Sequence, residues 1–365
     1  MRIPTIVTGL FLSAGLLSFA QHGGSQPAPE GKTAEEAFKN ITQLKGVPAD
    51  QLGPAMQFIA TSLGVECSFC HVQGKMEADD KRPKKTAREM MAMTAEINKT
   101  AFGGRQQVTC YSCHHGVSHP QSIPPVLDSG LPVHPTAPAA APATSASTTA
   151  DDIIANYLKA IGGADAVQKV TTRVMNGKIL ANGSESPIEV ITKAPNKRIT
   201  ITHMGNGESY TAFDGTGGWM GNSGRPAREM SSAESGAAGI DAEFALALHV
   251  KELFPQLRRG RPEDIAGTEC ETLFGSGPGR PAVRLFFDKN TGLLMRMVRY
   301  AETPVGRMPT QIDYADYREV EGVKIPFRWT LSRPNGRFTI QIAEVKANVP
   351  VEDSRFAKPA ADASK

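Results

Sequence analysis

Cysteine is scarce in this chain, and so are long apolar runs and any excess of one charge. Five cysteines in 365 residues exclude a small scaffold held together by disulfides. After the apolar run from Ile6 to Leu17, no stretch approaches the ~20 apolar residues that a transmembrane helix requires, which excludes a multi-span membrane protein. A formal charge of +3 spread along the chain leaves no basic arm, so no nucleic-acid partner is expected. The second half has no nucleophile and base at a recognisable spacing, no metal cluster and no phosphate loop. What remains is an ordinary globular composition, 40% hydrophobic and 6% aromatic, with enough length for two domains.

The few cysteines are not scattered. Four of them stand in Cys67-Ser68-Phe69-Cys70-His71 and Cys110-Tyr111-Ser112-Cys113-His114, two copies of C-x-x-C-H, the pattern that attaches c-type haem. Two thiols one helical turn apart can each add to a vinyl group of one porphyrin, and the histidine that follows is then held against the iron. A lone C-x-x-C also suits a redox dithiol or half of a zinc site. Two complete copies behind an export signal point instead to two covalently attached c-type haems, with His71 and His114 as proximal ligands. Cys270 is left over and is expected to be a buried, inert thiol.

Met1-Arg2, the apolar run and Ser18-Phe19-Ala20 read as a signal peptide over residues 1–20, cleaved before Gln21, which places the mature protein in the periplasm. No cysteine follows the cleavage position, so no lipid anchor is expected; retention of the run as an anchor, and with it peripheral membrane association, is the alternative. Residues 21–31 read as disordered. Thr33 is expected to cap a helix to about Leu44, closed by Gly46. A second helix from Ala49 carries Leu52, Met56, Ile59 and Leu63 on one face and ends at Gly64. A helix ending there can fold back over the first haem and place the Met56 thioether opposite His71. Lys81 to Lys85 read as a solvated basic loop, or as a docking patch for an acidic redox partner. A third helix is expected from Thr86 to about Ala101, with Met90, Met91 and Met93 as open alternatives for the second distal ligand. His115 is a further alternative, disfavoured by its adjacency to His114; His119 and His134 are assigned no role.

The blocks Met56 to Ile59 with Leu63 to His71, Ala87 to Asn98, and Val108 to Gly116 resemble the cytochrome c subunit of photosynthetic reaction centres. In that family a methionine on the helix before most haem motifs is the sixth ligand, which implies Met56 and Met90 as the distal ligands here. The family's best-known members carry four haems as two pairs, whereas this chain has one pair, and so it looks more like a dihaem relative from a non-phototroph.

Residues 121–150 turn to Pro, Ala, Ser and Thr and read as a linker. Beyond it, a helix over Ile153 to Ala160 and a short one over Ala164 to Lys169 precede alternating strands, including Ile188 to Thr192, Arg198 to Thr202 and a hairpin over Arg284 to Arg296 with its turn at Lys289 to Gly292. One amphipathic helix is expected from about Ala242 to Leu257, with Phe244, Leu248 and Leu253 toward the core. The order of elements, with Phe213 to Trp219, Tyr314 to Tyr317 and Val323 to Pro326, resembles the periplasmic lipoprotein-carrier (LolA-type) superfamily, which implies a half-barrel over an apolar cavity for a lipid or other hydrophobic ligand.

The expected fold is therefore multidomain. A mainly α dihaem c-type cytochrome over 32–120 is followed by an α+β antiparallel half-barrel with covering helices over 151–365. The function expected is electron transfer to and from redox protein partners rather than catalysis. A dihaem peroxidase, or a lipid- or quinone-binding protein with an accessory cytochrome, stands as the alternative.

Overall fold

The computed structural model describes residues 31–120, 148–205, 207–334 and 336–358. The expected signal peptide, the stretch expected to follow it, His134 and nearly all of the expected linker lie outside the described residues.

The first half is built of helices. Helix α1 (Ala34–Ala37) is a single turn, opened by Thr33, whose N–H donates to Glu36 at 2.8 Å. It stops far short of Leu44 because Phe38 is extended and Asn40 is left-handed, with its side-chain amide donating to Asp79 at 2.9 Å. Helix α2 (Leu52–Leu63) ends at left-handed Gly64. Glycine is required there twice over, by its φ of 64° and because a Cβ would overlap the Gly116 carbonyl. Helix α3 (Cys67–Cys70) is the first motif, α4 (Arg82–Phe102) the long central helix, and α5 (Cys110–His114) the second motif. The basic run is not a loop: Pro83 stands in the first turn of α4, where its missing N–H costs nothing.

The second half starts with α6 (Ala150–Ala160), capped by Thr149, and α7 (Ala164–Lys169). Strands β1 (Thr172–Ala181), β2 (Ser184–Lys193), β3 (Lys197–Met204), β4 (Gly207–Phe213), β5 (Gly218–Asn222) and β6 (Arg228–Glu229) follow. Helices α8 (Ser232–Ala242) and α9 (Leu246–Leu253) come next. They replace the one helix expected over 242–257. The Ser231 and Glu234 capping box starts α8 well before Ala242, and Glu243 breaks the pair by accepting the Ala245 N–H at 3.1 Å. Phe244 and Leu253 are buried as expected. The chain then runs through β7 (Gln256–Arg259), β8 (Glu263–Ile265), β9 (Thr268–Ser276), β10 (Ala282–Asp288), β11 (Leu294–Thr303), β12 (Gly306–Val320), β13 (Val323–Arg333) and β14 (Gly336–Ala347).

These strands form one open antiparallel sheet, ordered β6-β5-β4-β3-β2-β1-β14-β13-β12-β11-β10-β9-β7, with β8 on β9. First and last strands pair in the middle, so the chain closes on itself in the centre of the sheet. Helix α8 touches β3, β4 and β5 on one wing and β11 on the other, which requires the sheet to curl around it. Alternation sets the faces: Val323, Ile325 and Phe327 on β13, with Ile340 and Ile342 on β14, enter the main core with α6 to α9. Cys270 is fully buried on the opposite face with Phe286 and Val298, and burial pushes its thiol up to about 11.

The two halves meet where α2 packs on β11 and β12. The Phe58 ring lies over Gly306, and the Gln106 amide donates to the Pro304 carbonyl at 2.9 Å. A side chain at Gly306 must displace that ring, so Gly306→Val is expected to weaken the docking by about 1–3 kcal/mol. Small-angle scattering should report a larger radius of gyration for the variant; an unchanged radius would show that this contact does not hold the halves together.

Candidate functional site

Each C-x-x-C-H motif occupies one helical turn that brings its two thiols to the same side, and the histidine ends the turn. His71 is the extended residue after α3, and its Nδ1 lies 2.8 Å from the Met76 carbonyl oxygen. His114 closes α5, and its Nδ1 lies 3.0 Å from the Val117 carbonyl oxygen. A carbonyl can only accept, so each Nδ1 carries the proton and each Nε2 keeps its lone pair. This arrangement, in which the second ring nitrogen donates to a backbone carbonyl, is the one that orients metal-binding histidines.

Helix α4 braces both motifs. Lys84, 8% exposed, donates to the carbonyls of Met76, Glu77 and Ala78 at 2.8–2.9 Å, so it shares the Met76 carbonyl with His71. Its ammonium is also 3.1 Å from Asp79, which Arg88 holds at 2.9 Å. Hydrogen bonds from Arg88, then Asn40 and Lys84, keep the Asp79 carboxyl well below the usual carboxylate range. Lys81 donates to the Ser68 carbonyl inside the first motif. Toward the other end of α4, buried Asn98 accepts the Gln107 and Val108 N–H groups at 2.9 Å and donates to the Val108 carbonyl at 2.7 Å. That fixes the chain two residues before Cys110. Sequence reasoning missed Lys84, Arg88 and Asn98; the one available signal was Pro83, a helix-start residue inside what read as a loop.

The residues fit a large apolar prosthetic group. None of the hydrophobic clusters of the protein includes a residue before Ala150, so the first half has no core of its own among the described residues. Among the described residues, the large apolar side chains left exposed are Phe69 and Tyr111 within the motifs, Met76 and Val117 shortly after them, and Met90 and Met93 on α4, which packs against both motif helices. The four motif cysteines are free thiols, and burial raises the pKa of Cys70 and Cys110, which is unlike a redox-active dithiol. Among the described residues, no three His, Cys, Asp or Glu side chains converge as a metal cage. Met56 is half-buried on α2, which packs against α5; Met90 is exposed on α4, which packs against α3 and α5. His115 is left-handed at the end of α5 and stacks edge-on with Tyr111 at 5.5 Å.

The second half contains a cavity of about 450 Å³ under α8 and the α8–α9 turn, within the roughly 300–1,000 Å³ range of small-molecule sites. Its walls are mainly apolar, with Met175, Ile188, Phe213, Leu294, Trp329 and Phe338 among them. Among the described residues, no helix is long and apolar enough to cross a membrane.

The family model described as "Photosynthetic reaction centre cytochrome C subunit" matches residues 18–277. A photosynthetic reaction center cytochrome c subunit from Thermochromatium tepidum is 31% identical over 98 residues, which is 25% of this chain and 24% of that protein. The chain thus spans about a quarter of the length of that curated relative. Among solved structures, a LolA superfamily protein from Nitrosomonas europaea is similar at 14% identity and a TM-score of 0.41, covering 58% of this chain and 99% of the other. A DUF1329 family protein from Desulfovibrio piger is similar at 11% identity and a TM-score of 0.42, covering 57% and 96%.

Removing the Lys84 ammonium takes a donor from three carbonyls, of which Met76 keeps His71 and Glu77 keeps Asn40, so Lys84→Met is expected to cost about 1–3 kcal/mol in chemical denaturation; a loss within error would remove the brace. The depressed Asp79 carboxyl gives a pH dependence of defined sign. Its contribution is in place above the ordinary aspartate value of about 3.9 and is lost as pH falls further. Asp79→Asn is therefore expected to show a shallower acid-side loss of stability than the parent protein, read from unfolding midpoints between neutral and acid pH.

Proposed function

Since the chain belongs to the photosynthetic reaction centre cytochrome c subunit family, we propose that it is an exported dihaem electron carrier whose second half holds a hydrophobic ligand. The observation that carries the first part is the pair of imidazoles. Each donates its Nδ1 proton to a backbone carbonyl and keeps Nε2 free, beside a thiol pair in a segment with no apolar core of its own. Cys67 and Cys70 would hold one haem and Cys110 and Cys113 the other, with His71 and His114 as proximal ligands and Met56 and Met90 as distal ones. The haem iron supplies reversible one-electron exchange when bound. The chain's own residues orient the imidazoles, and with His71, His114, Met56 and Met90 as ligands they would leave no position for substrate. The domain reading follows the same lines: a haem domain over 32–120, a linker over 121–150 and a ligand-binding domain over 151–365, in the periplasm after removal of residues 1–20.

The partner class is a redox protein, met through exposed basic residues such as Arg82 and Lys85 at the start of α4. A hydrophobic ligand is supported by the cavity under α8, which has the size and the mainly apolar walls such a ligand needs.

Haem content per chain, with carbon monoxide binding to the reduced protein, tests the carrier reading. Two haems and no carbon monoxide complex are expected. Met56→Ala and Met90→Ala should each create one carbon-monoxide-reactive haem, and a variant that stays inert removes that methionine from the assignment. Peroxide turnover by the fully loaded protein would return the peroxidase reading.

A further inference from the structure

Strand register places three polar residues side by side on the cavity face. Arg173 on β1 pairs with Thr192 on β2, and Thr192 pairs with Arg198 on β3. Directly paired residues point to the same face of a sheet, with strands about 4.8 Å apart. The row is therefore Arg-Thr-Arg, and all three residues line the cavity. Thr192 is 7% exposed, and its hydroxyl oxygen has no hydrogen-bond partner. A buried hydroxyl left in that state costs free energy.

Neither guanidinium group is ion-paired among the described residues. Arg173 stacks on the Phe244 ring at 4.1 Å, an arrangement that leaves its N–H edge open. Among the described residues, no carboxylate or carbonyl accepts from it. Arg198 reaches only the backbone carbonyl of Asp241, at 3.3 Å. The Asp241 carboxylate is taken by Arg299 at 2.6 Å, and the Glu243 carboxylate by His249 at 2.7 Å. Burial pulls Arg173 down to about 10, still charged at neutral pH. In this mainly apolar chamber Arg173 and Arg198, neither of them in an ion pair among the described residues, flank an unsatisfied hydroxyl.

We propose that the cavity takes an amphiphile with an anionic headgroup, a carboxylate or phosphate bonded to the Arg173, Thr192 and Arg198 row, with its hydrocarbon chain along the apolar walls. The proposal rests on the hydrophobic-ligand reading and adds the headgroup to it. A carboxylate or phosphate can accept from both guanidinium groups and from the hydroxyl at once, which satisfies every group the empty row leaves open.

Calorimetric titration of the full-length, haem-loaded protein tests this with hexadecanoate, hexadecyl phosphate, hexadecan-1-ol and inorganic phosphate. One or both long-chain anions should bind about tenfold or more tightly than the alcohol, the increment expected of charge-assisted hydrogen bonds, and inorganic phosphate far more weakly. The better of the two anions identifies the head. Arg198→Gln should lose about tenfold for the anion and nothing for the alcohol. Thr192→Val, which keeps the side-chain shape, should weaken the anion while raising the melting temperature of the ligand-free protein. Lys346→Gln, on the exposed part of β14, should change neither. Equal binding of alcohol and anion, with Arg198→Gln and Thr192→Val indifferent, would overturn the headgroup and leave the hydrophobic-ligand reading intact. Inorganic phosphate binding as tightly as the long-chain anions would also overturn it. Failure of every long-chain probe to bind would overturn both readings.

Discussion

The Lys84 ammonium, buried among three consecutive carbonyls, is the interaction on which the first half depends. A lysine out of water is costly unless its hydrogens are matched, and here the match is made by the loop that follows the first motif. The carbonyl of Met76 accepts from Lys84 and from His71 together, so the orientation of that imidazole is tied to the position of α4. Asn98 does the corresponding service for the chain entering the second motif. One helix thus sets the entry to one haem motif and the exit from the other. The polar brace stands in for a core that the half lacks among its described residues, where apolar burial before Ala150 stops at Ala34, Ala49, Ala55, Phe58 and Ile59.

Legibility in the sequence follows from how local the cause is. The two C-x-x-C-H motifs stand out because the pattern is contiguous in sequence, and Gly64 was readable because a helix end that needs a positive φ selects glycine. Helix α4 was read four residues short because Lys81 to Lys85 carry charge, and charge suggests water; that Lys84 turns inward is decided by carbonyls in the preceding loop. The helix expected to reach Leu44 ends at Ala37 for a similar reason. Asn40 is claimed by Asp79, nearly forty residues further on, and takes up a left-handed backbone to reach it. In the second half, the hairpin of β10 and β11 was readable from its alternation and turn. The break between α8 and α9 was not, because the Glu243 side chain that makes it looks like one more polar residue on an amphipathic helix.

The largest difference between pattern and structure is in β3. Arg198-Ile199-Thr200-Ile201-Thr202 alternates as a half-buried strand should, and alternation alone would turn the isoleucines inward and the polar residues to water. The structure does the reverse with respect to the cavity. Ile199 and Ile201 pack on the far face under fully buried Phe356, while Arg198, Thr200 and Thr202 line the chamber. The inversion is possible because the sheet is covered on both faces here, by α8 within the curve and by the turn at Asp353–Phe356 outside it. A periodicity of two reports that the faces differ, and it is silent on which face holds the ligand.

That inversion has an energetic consequence for the chamber. A wholly apolar pocket gains from any hydrophobic occupant in proportion to the area it buries, and so discriminates poorly among occupants. Desolvated arginines and an unpartnered threonine on one wall change the balance. An occupant without an acceptor leaves them as they are, whereas one with an anionic head removes their penalty on entry. Selectivity then comes from the cost that the wrong ligand fails to relieve, as in sites built to hydrogen-bond a particular group. The first half follows the same logic with its cofactor, where exposed Phe69, Met76 and Tyr111 around preset imidazoles are unfavourable until an apolar macrocycle covers them. In both halves, what the polypeptide leaves unsatisfied defines the chemistry of what it should hold.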